Sequence, residues 1–192
     1  MKLACLLTAA GTGSRFGSDK LRLSVNGQPM GIHAMEVLRE ASFALRVLVT
    51  SRDKGYLMEA AEKLGFDLII NPDPDQGMSS SVRLGTAHIL RTGAYDGILY
   101  AVADQPNLSA ATVQRLLRAF EGKCDCIWAP AANGKRGNPV LFPSSLFPEL
   151  LKITGDRGGR QVIAAHLELV RTIPVPSEEL KDIDTKEDMQ PC

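Results

Sequence analysis

The residues best suited to chemistry lie in a glycine-rich stretch, Ala9-Ala-Gly-Thr-Gly-Ser-Arg-Phe-Gly-Ser-Asp-Lys20, which follows the first apolar run of the chain. Its glycines let backbone amides turn toward an anion, and Arg15 and Lys20 add positive charge in the same stretch. This combination favours a polyphosphate ligand, although a plain glycine-rich turn with two solvated cations explains the glycines equally well. The three glycines are Gly11, Gly13 and Gly17.

Two better-known phosphate loops fit this stretch poorly. The Walker motif needs Ser or Thr after its lysine, whereas Leu21 follows Lys20. The dinucleotide fingerprint needs a helix that opens within the glycines, but helical periodicity resumes only after Gly27-Gln-Pro29. A dinucleotide oxidoreductase is therefore a runner-up, and it would have to use Arg52 to bind a phosphorylated cofactor.

A second group of polar residues comes after the apolar run at 98–103. Asp104 can bind Mg²⁺ as a hard oxygen ligand, and Pro106 would hold the turn that aims it. An acid before a helix is more often a turn or capping residue.

A third polar segment, Gln76–Gly85, lies before this apolar run. It carries three serines at a predicted helix start, and at least one of them is expected to act as an N-cap.

The elements that must position these residues alternate between short apolar runs and longer segments of helical periodicity, which is typical of parallel strands joined by crossover helices. The helix at 109–120 is the clearest, because Ser109 can cap it and apolar residues recur at spacings of three and four. We predict strands near 3–8, 46–50, 67–70, 97–102, 126–130, 138–142 and 168–173, and helices near 30–41, 53–64, 79–91, 109–120, 144–152 and 158–166.

Long loops at 9–29, 71–78 and 131–137 interrupt this regularity. Two of them follow the carboxyl ends of predicted parallel strands, where open α/β sheets bind their ligands. Function is therefore expected at these loops.

Composition limits the class of protein. The 192 residues fit one domain spanning 1–192, and 44% apolar with 23% charged residues exclude disorder as the main state. Twenty-two basic residues balance twenty-two acidic ones, so we expect no nucleic acid and no membrane partner. Four cysteines without a disulfide or zinc pattern, together with the absence of a leader-like start, predict a cytoplasmic protein.

The glycine-rich stretch resembles the signature loop of the MobA-like nucleotidyltransferases, most closely the molybdenum cofactor cytidylyltransferase branch. Ala10 favours this branch, since the guanylyl branch resembles Ala-Gly-Gly there, whereas Thr8 replaces the usual leucine. Other stretches resemble further motifs of the family in the same order along the chain. They are Gln76–Gly85, Asp104–Pro106, Lys135–Phe142, Gly155–Arg160 and Asp182–Asp188.

Pattern and resemblance together imply a three-layer α/β/α fold with a doubly wound, mostly parallel sheet, like that of nucleotide-diphospho-sugar transferases. The resemblance also implies roles for individual residues. The nucleotide would be bound by Ala9, Ala10, Gly11, Gly13, Arg15, Lys20, Ser80 and Ser81, and catalysis would depend on Lys20, Arg15 and Asp104. Mg²⁺, or alternatively Mn²⁺, would be held by Asp104 and Asp184, and the acceptor would meet Asn138 (where the family commonly has His), Asp156 and Arg160.

Each of these assignments has a simpler alternative. Residues 135–142 read equally as a loop that runs into a strand, 155–160 as a helix-entry turn, and 182–188 as a surface acidic segment that caps a last helix.

The reaction implied by the resemblance is transfer of CMP from CTP to a molybdopterin-type phosphate acceptor, with release of pyrophosphate. Another NTP, with a sugar-phosphate, polyol-phosphate or guanylyl acceptor, is an alternative within the same enzyme class. An alternative from another class is a non-catalytic accessory protein for a molybdenum hydroxylase. That hydroxylase, or its chaperone, would then be a protein partner.

Overall fold

The computed structural model describes residues 1–11 and 19–183. The strands are β1 (Leu3–Ala9), β2 (Ser24–Val25), β3 (Gln28–Pro29), β4 (Leu45–Thr50), β5 (Asp67–Ile70), β6 (Gly97–Val102), β7 (Ile127–Ala132), β8 (Lys135–Arg136), β9 (Val140–Pro143) and β10 (Val170–Pro174). The α-helices are α1 (Met30–Arg39), α2 (Gly55–Leu64), α3 (Met78–Thr92), α4 (Ala110–Gly122), α5 (Phe147–Leu150) and α6 (Arg160–Ala165). Within the described ranges, short 3₁₀ turns lie at Lys20–Arg22, Pro74–Gln76, Ser144–Leu146, Gly155–Arg157, Leu167–Leu169 and Ser177–Leu180.

One mixed sheet organises the fold, with the strand order β10-β7-β9-β6-β1-β4-β5 and β8 beside β7. β1 pairs in parallel with both β4 and β6, whereas β9 pairs antiparallel with β6 and β7. The chain builds outward from β1 to β4 and β5, and then continues on the other side of β1 with β6. The strand order therefore reverses between β1 and β6, and this is where doubly wound sheets bind ligands.

Two apolar cores cover the two faces of the sheet, because successive side chains of a strand point to opposite faces. Cys5 and Leu7 of β1 pack with α1, α2 and α4, whereas Ala4 and Leu6 pack with α3, α5 and α6. Helix α3 lies unusually close to β1, since a Cβ at Gly85 would be 2.2 Å from a methyl carbon of Leu6. The three-layer, mostly parallel architecture predicted from the sequence is confirmed.

The individual elements also follow the sequence pattern closely. Ser109 caps α4 by accepting a hydrogen bond from the N–H of Thr112 at 3.1 Å, and Val113, Leu116 and Phe120 are fully buried below it. The prediction that a serine caps α3 was wrong. The residue before this helix is Gly77, at φ +85°, and it makes no side-chain capping bond. In the described part of the chain, none of the helices is long and apolar enough to span a bilayer.

Candidate active site at the carboxyl edge of the sheet

The first cavity at the carboxyl edge, of about 500 Å³, lies over the ends of β1 and β6. Residues 8–11 form one side of it, and Asp104 lies on the β6 side with Lys20. Residues 74–78 and Ser81 bound the cavity from the start of α3, and Gly155 and Asp156 complete the lining. Seven of the residues predicted from the sequence therefore line one cavity: Ala9, Ala10, Gly11, Lys20, Ser81, Asp104 and Asp156.

Lys20 and Asp104 form an ion pair inside this cavity. The Lys20 Nζ lies 2.7 Å from Asp104 Oδ2, and about one fifth of each side chain is exposed, with values of 20% and 22%. Tertiary structure is needed to join them, because they are 84 positions apart and come from the first loop and from the end of β6. The pair brings a cation and a potential metal ligand to the same point.

Two buried oxygens at the end of β6 lack hydrogen-bond donors. In the described part of the chain, Asp104 Oδ1 and Gln105 Oε1 have no partner. A buried acceptor without a donor is costly, and a carboxylate oxygen in this state suits a hard cation such as Mg²⁺. The described residues contain no cluster of three or more His, Cys, Asp or Glu side chains, so Asp104 would need further ligands from elsewhere.

The base of the first loop is held by three side chains that the sequence analysis did not single out. Lys54, just before α2, donates hydrogen bonds to the carbonyls of Ala9 at 3.1 Å and Gly11 at 2.7 Å. Its ammonium is also 3.6 Å from the carboxylate of Asp19, which accepts a 2.9 Å hydrogen bond from the Tyr56 hydroxyl. Burial and the neighbouring Asp19 raise the pKa of Tyr56, so its phenol stays protonated and remains a donor.

The serines at the start of α3 are organised by a buried asparagine. Asn71, only 2% exposed, donates to the hydroxyl oxygens of Ser80 at 2.8 Å and Ser81 at 2.9 Å. The Ser80 hydroxyl in turn donates to the Gly77 carbonyl at 2.8 Å, which satisfies it within the fold. The Ser81 hydroxyl hydrogen has no acceptor among the described residues, and Ser81 faces the first cavity whereas Ser80 does not line it.

The first turn of α3 is closed by the distant 155–160 segment. Asp156 Oδ1 accepts a hydrogen bond from the Met78 N–H at 3.2 Å, so it caps the helix that has no capping side chain of its own. Glycine is required at Gly77, because a Cβ there would lie 2.9 Å from the backbone of Gly155. Asp156, predicted to meet the acceptor, thus has a structural contact at the mouth of the first cavity.

A second cavity of about 440 Å³ adjoins the first, and Thr8, Met78, Val102 and Asp156 line both. The sides of this second cavity are largely apolar and come from α3, β6, β7, β9 and α6, with Tyr100 and Phe142 among them. Three arginines lie around it: Arg136, Arg157 and Arg160. The predicted acceptor residues Asn138, Asp156 and Arg160 all line this cavity.

Three predicted site residues lie outside the described residues: Gly13 and Arg15 of the first loop, and Asp184. Ile183 is the last described residue, one before Asp184. Its N–H donates a hydrogen bond to the Asp104 carbonyl at 3.0 Å. Asp182, which lines the second cavity, belongs to the same closing segment.

Two of the residues that the sequence analysis missed could have been found by one signal. Lys54 and Asn71 each follow the carboxyl end of a parallel strand, β4 and β5 respectively, as Asp104 follows β6. Applying the strand-end rule to the individual residues after every parallel strand would have included both, and Asn71 already lies in the 71–78 loop marked from the sequence.

The fold is a doubly wound α/β sheet with two cavities at its carboxyl edge, and solved structures have the same architecture. Rv0371c from Mycobacterium tuberculosis H37Rv superposes with a TM-score of 0.85 at 24% identity, covering 98% of this chain and 95% of that one. Its complex with manganese superposes with a TM-score of 0.81 at 23% identity, covering 98% and 96%. At these identities the likeness concerns the fold.

Sequence comparison gives the family. The profile of the MobA-like NTP transferase domain matches residues 5–170, so the chain belongs to this family and is a nucleotidyltransferase of the MobA-like type. The chain is 29% identical to the nicotine blue oxidoreductase of Paenarthrobacter nicotinovorans, over 96% of this chain and 93% of that protein. It is 26% identical to a probable molybdenum cofactor guanylyltransferase of Thermococcus sibiricus, over 96% and 94%.

Proposed function

We propose that the protein transfers CMP from CTP to a molybdopterin-type phosphate acceptor, with Mg²⁺ as cofactor and pyrophosphate as the second product. The observation that carries this proposal is the pair of adjoining cavities, one lined by the phosphate loop with Lys20 and Asp104, the other apolar with arginines around it. A transferase must hold two substrates side by side, and the shared wall at Thr8 and Val102 offers that arrangement. We also propose that residues 1–192 form one transferase domain.

The first cavity suits the nucleotide. The backbone of residues 9–11 and the ammonium of Lys20 would bind the triphosphate, and Gly13 and Arg15 are proposed to complete the loop around it. The Ser81 hydroxyl hydrogen is available to donate to the base or ribose. The preference for CTP rests on Ala10, by its resemblance to the cytidylyl branch.

A divalent metal fits the end of β6. Asp104 Oδ1 is a buried acceptor without a donor in the described part of the chain, and Asp184 is proposed as the second carboxylate. The manganese complex of Rv0371c supports a divalent cation in this fold. When bound, the ion would neutralise charge on the triphosphate. Lys20, which pairs with Asp104 at this point, is proposed to bind the phosphate that is transferred.

The second cavity suits the acceptor. Its apolar walls can pack against a ring system, and Arg136, Arg157 and Arg160 can bind an acceptor phosphate. An oxygen of that phosphate would attack the α-phosphorus of CTP in line, and the α–β phosphoanhydride bond would break to release pyrophosphate. The protein would contribute mainly positioning and charge neutralisation, without a covalent enzyme intermediate. A molybdenum hydroxylase or its chaperone would receive the product.

An oxidoreductase is the second candidate, because a relative at 29% identity carries that name. Among the described residues 19–29, no α-helix opens, and Arg52 is exposed and lines neither of the two cavities. Dinucleotide binding of the Rossmann type is therefore the weaker proposal.

A ligand screen followed by a product assay tests the proposal. CTP, GTP, ATP, UTP and NADPH would each be added with Mg²⁺ at saturating concentration, where a ligand at about 100 times its Kd adds about 2.7 kcal/mol of stability. We expect the largest rise in melting temperature with CTP. Equal rises with all four triphosphates would contradict the cytidylyl assignment, and a rise with NADPH alone would favour the oxidoreductase.

The product assay separates a transferase from a carrier. CTP, Mg²⁺ and purified molybdopterin would be mixed with the protein, and pyrophosphate release measured. Binding of both substrates without pyrophosphate would support the non-catalytic accessory protein instead. Pyrophosphate release with a sugar or polyol phosphate, but not with molybdopterin, would redirect the proposal to that acceptor class.

A further inference from the structure

We propose that Lys54 is a positioning residue that fixes the orientation of the first peptides of the phosphate loop, so that their N–H groups face the triphosphate. This inference rests on the proposed nucleotide site in the first cavity. Lys54 itself does not line that cavity, and it reaches the loop from behind, from the segment between β4 and α2.

Lys54 contacts the phosphate loop at both of its described ends, and we call its contacts with Ala9, Gly11 and Asp19 the clamp. Its side chain is 3% exposed, and its ammonium donates to the carbonyl oxygens of Ala9 at 3.1 Å and Gly11 at 2.7 Å. A buried ammonium is stable only when its charge and its donors are satisfied. The carbonyl at the end of β1, which also accepts from the Thr50 hydroxyl at 3.5 Å, the Gly11 carbonyl and a carboxylate 3.6 Å away therefore surround one cation.

The direction of these carbonyls sets the direction of the amides. In a planar trans peptide the C=O and the N–H point in opposite directions, so a carbonyl of Ala9 turned toward Lys54 turns the N–H of Ala10 away from it. In the described part of the chain, no hydrogen bond uses that N–H. Ala10 and Gly11 line the first cavity, and the space where a Cβ of Gly11 would stand is open. An anion in the cavity therefore meets the oriented amide of Ala10.

Asp19 anchors the clamp at the other described end of the loop. One of its carboxylate oxygens accepts from the Leu21 N–H at 3.2 Å, and the other accepts from the Tyr56 hydroxyl at 2.9 Å. The backbone and α2 thus hold the Asp19 carboxylate through contacts that do not involve Lys54. Lys54 contacts both Gly11 and Asp19, the residues that flank the 12–18 segment with Gly13 and Arg15.

The test compares Lys54→Met with Lys63→Met. Met keeps the length of the lysine stem and fits an apolar site. Lys63 is an exposed lysine near the end of α2, the helix that Lys54 precedes, so both variants lose one positive charge. The probes are CTP, which engages the loop through its triphosphate, and CMP, which engages the cavity chiefly through base and ribose. Affinities would be measured by calorimetry with Mg²⁺, and melting temperature would be measured beside them.

We expect Lys54→Met to weaken CTP roughly tenfold or more while CMP changes less than about twofold, as loss of charge-assisted hydrogen bonds would produce. Lys63→Met should leave both affinities unchanged. Equal weakening of CTP and CMP in Lys54→Met would show a general folding defect and would overturn the positioning role, as would an unchanged CTP affinity.

A second variant guards against failure of Lys54→Met to fold. Asp19→Asn keeps the hydrogen-bonding shape of the anchor but removes its charge from Lys54, and the same selective loss of CTP affinity, smaller in size, is expected. No change in the ratio of CTP to CMP affinity in this variant would count against the clamp. If the wild-type protein binds neither CTP nor CMP, the proposed function fails, and the role of Lys54 fails with it.

Discussion

The two cavities at the carboxyl edge of the sheet are lined by different groups of residues. The first is lined by the 8–11 and 74–78 segments with the Lys20–Asp104 ion pair and Ser81, whereas the second is lined by side chains of several strands and helices, with three arginines around it. Backbone amides and a lysine can serve any nucleoside triphosphate, because its phosphates are common to all of them. Shape and apolar surface select a particular acceptor, so the second cavity should determine what the enzyme modifies.

This contrast predicts that variants of the two cavities change different kinetic parameters. A residue that acts on the reacting phosphates lowers kcat, while a residue that only binds the acceptor raises the KM for the acceptor. A variant that affected all parameters equally would indicate that the two cavities do not correspond to two substrates.

The largest effect is expected from Asp104→Asn. Loss of the carboxylate that is proposed to hold the metal would remove several kcal/mol of charge stabilisation, which would lower kcat by roughly 1,000-fold. The measurement is the rate of pyrophosphate release at saturating CTP and acceptor, with Mg²⁺ varied. Added Mg²⁺ should recover part of the rate, because the remaining ligands still bind the ion weakly. Glu62→Gln, an exposed acid on α2, is the matched control and should keep the wild-type rate.

Lys20→Ala should have the next largest effect. If Lys20 donates to the transition state as proposed, its removal costs about 3 kcal/mol, or roughly 100-fold in kcat. The melting temperature should change little, since the ion pair that Lys20 forms is partly exposed and such pairs add little stability. Single-turnover kinetics would check this prediction, and a rate near that of the wild type would remove Lys20 from the reaction.

Arg160→Ala tests the second cavity and should give a smaller, selective effect. Arg160 opens α6 and lines only the second cavity, so we expect the KM for the acceptor to rise about tenfold while the KM for CTP stays constant. Arg91→Ala, an exposed arginine near the end of α3 that lines neither cavity, is the control for loss of charge. A higher KM for CTP in Arg160→Ala would show that the cavities are assigned to the wrong substrates.

How far the sequence predicts the molecule also differs between the two regions. The first cavity follows from local signals, since glycines, Lys20 and Asp104 occupy loops at strand ends that periodicity already marks. The antiparallel direction of β9 could also have been predicted from the sequence. Only seven residues separate β9 from β7, and a parallel crossover needs about a dozen or more. The walls of the second cavity join α3, β9 and α6, and no short sequence pattern encodes their meeting.

Sequence reasoning missed the tertiary contacts on which the positions of several site residues depend. Lys54 resembles any lysine at a helix start until the loop carbonyls surround its ammonium. Asp156 matched an acceptor motif, and its observed contact is the cap of α3, 78 positions away in sequence. A serine cap for α3 was expected from local preference, but Gly77 occupies that position because the backbone of Gly155 approaches too closely for a side chain.

The smallest effect compares two adjacent serines that share one partner. Asn71 donates to both hydroxyls, but only Ser81 lines the first cavity and retains a hydroxyl hydrogen without an acceptor among the described residues. Ser81→Ala should weaken CTP by about 1 kcal/mol, or roughly fivefold, and narrow its advantage over other triphosphates. Ser80→Ala breaks the bond to the Gly77 carbonyl instead, so it should lower the melting temperature and leave nucleotide preference unchanged. Nucleotide competition and thermal unfolding of both variants give the answer, because equal behaviour of the two would mean that Ser81, like Ser80, only supports the start of α3.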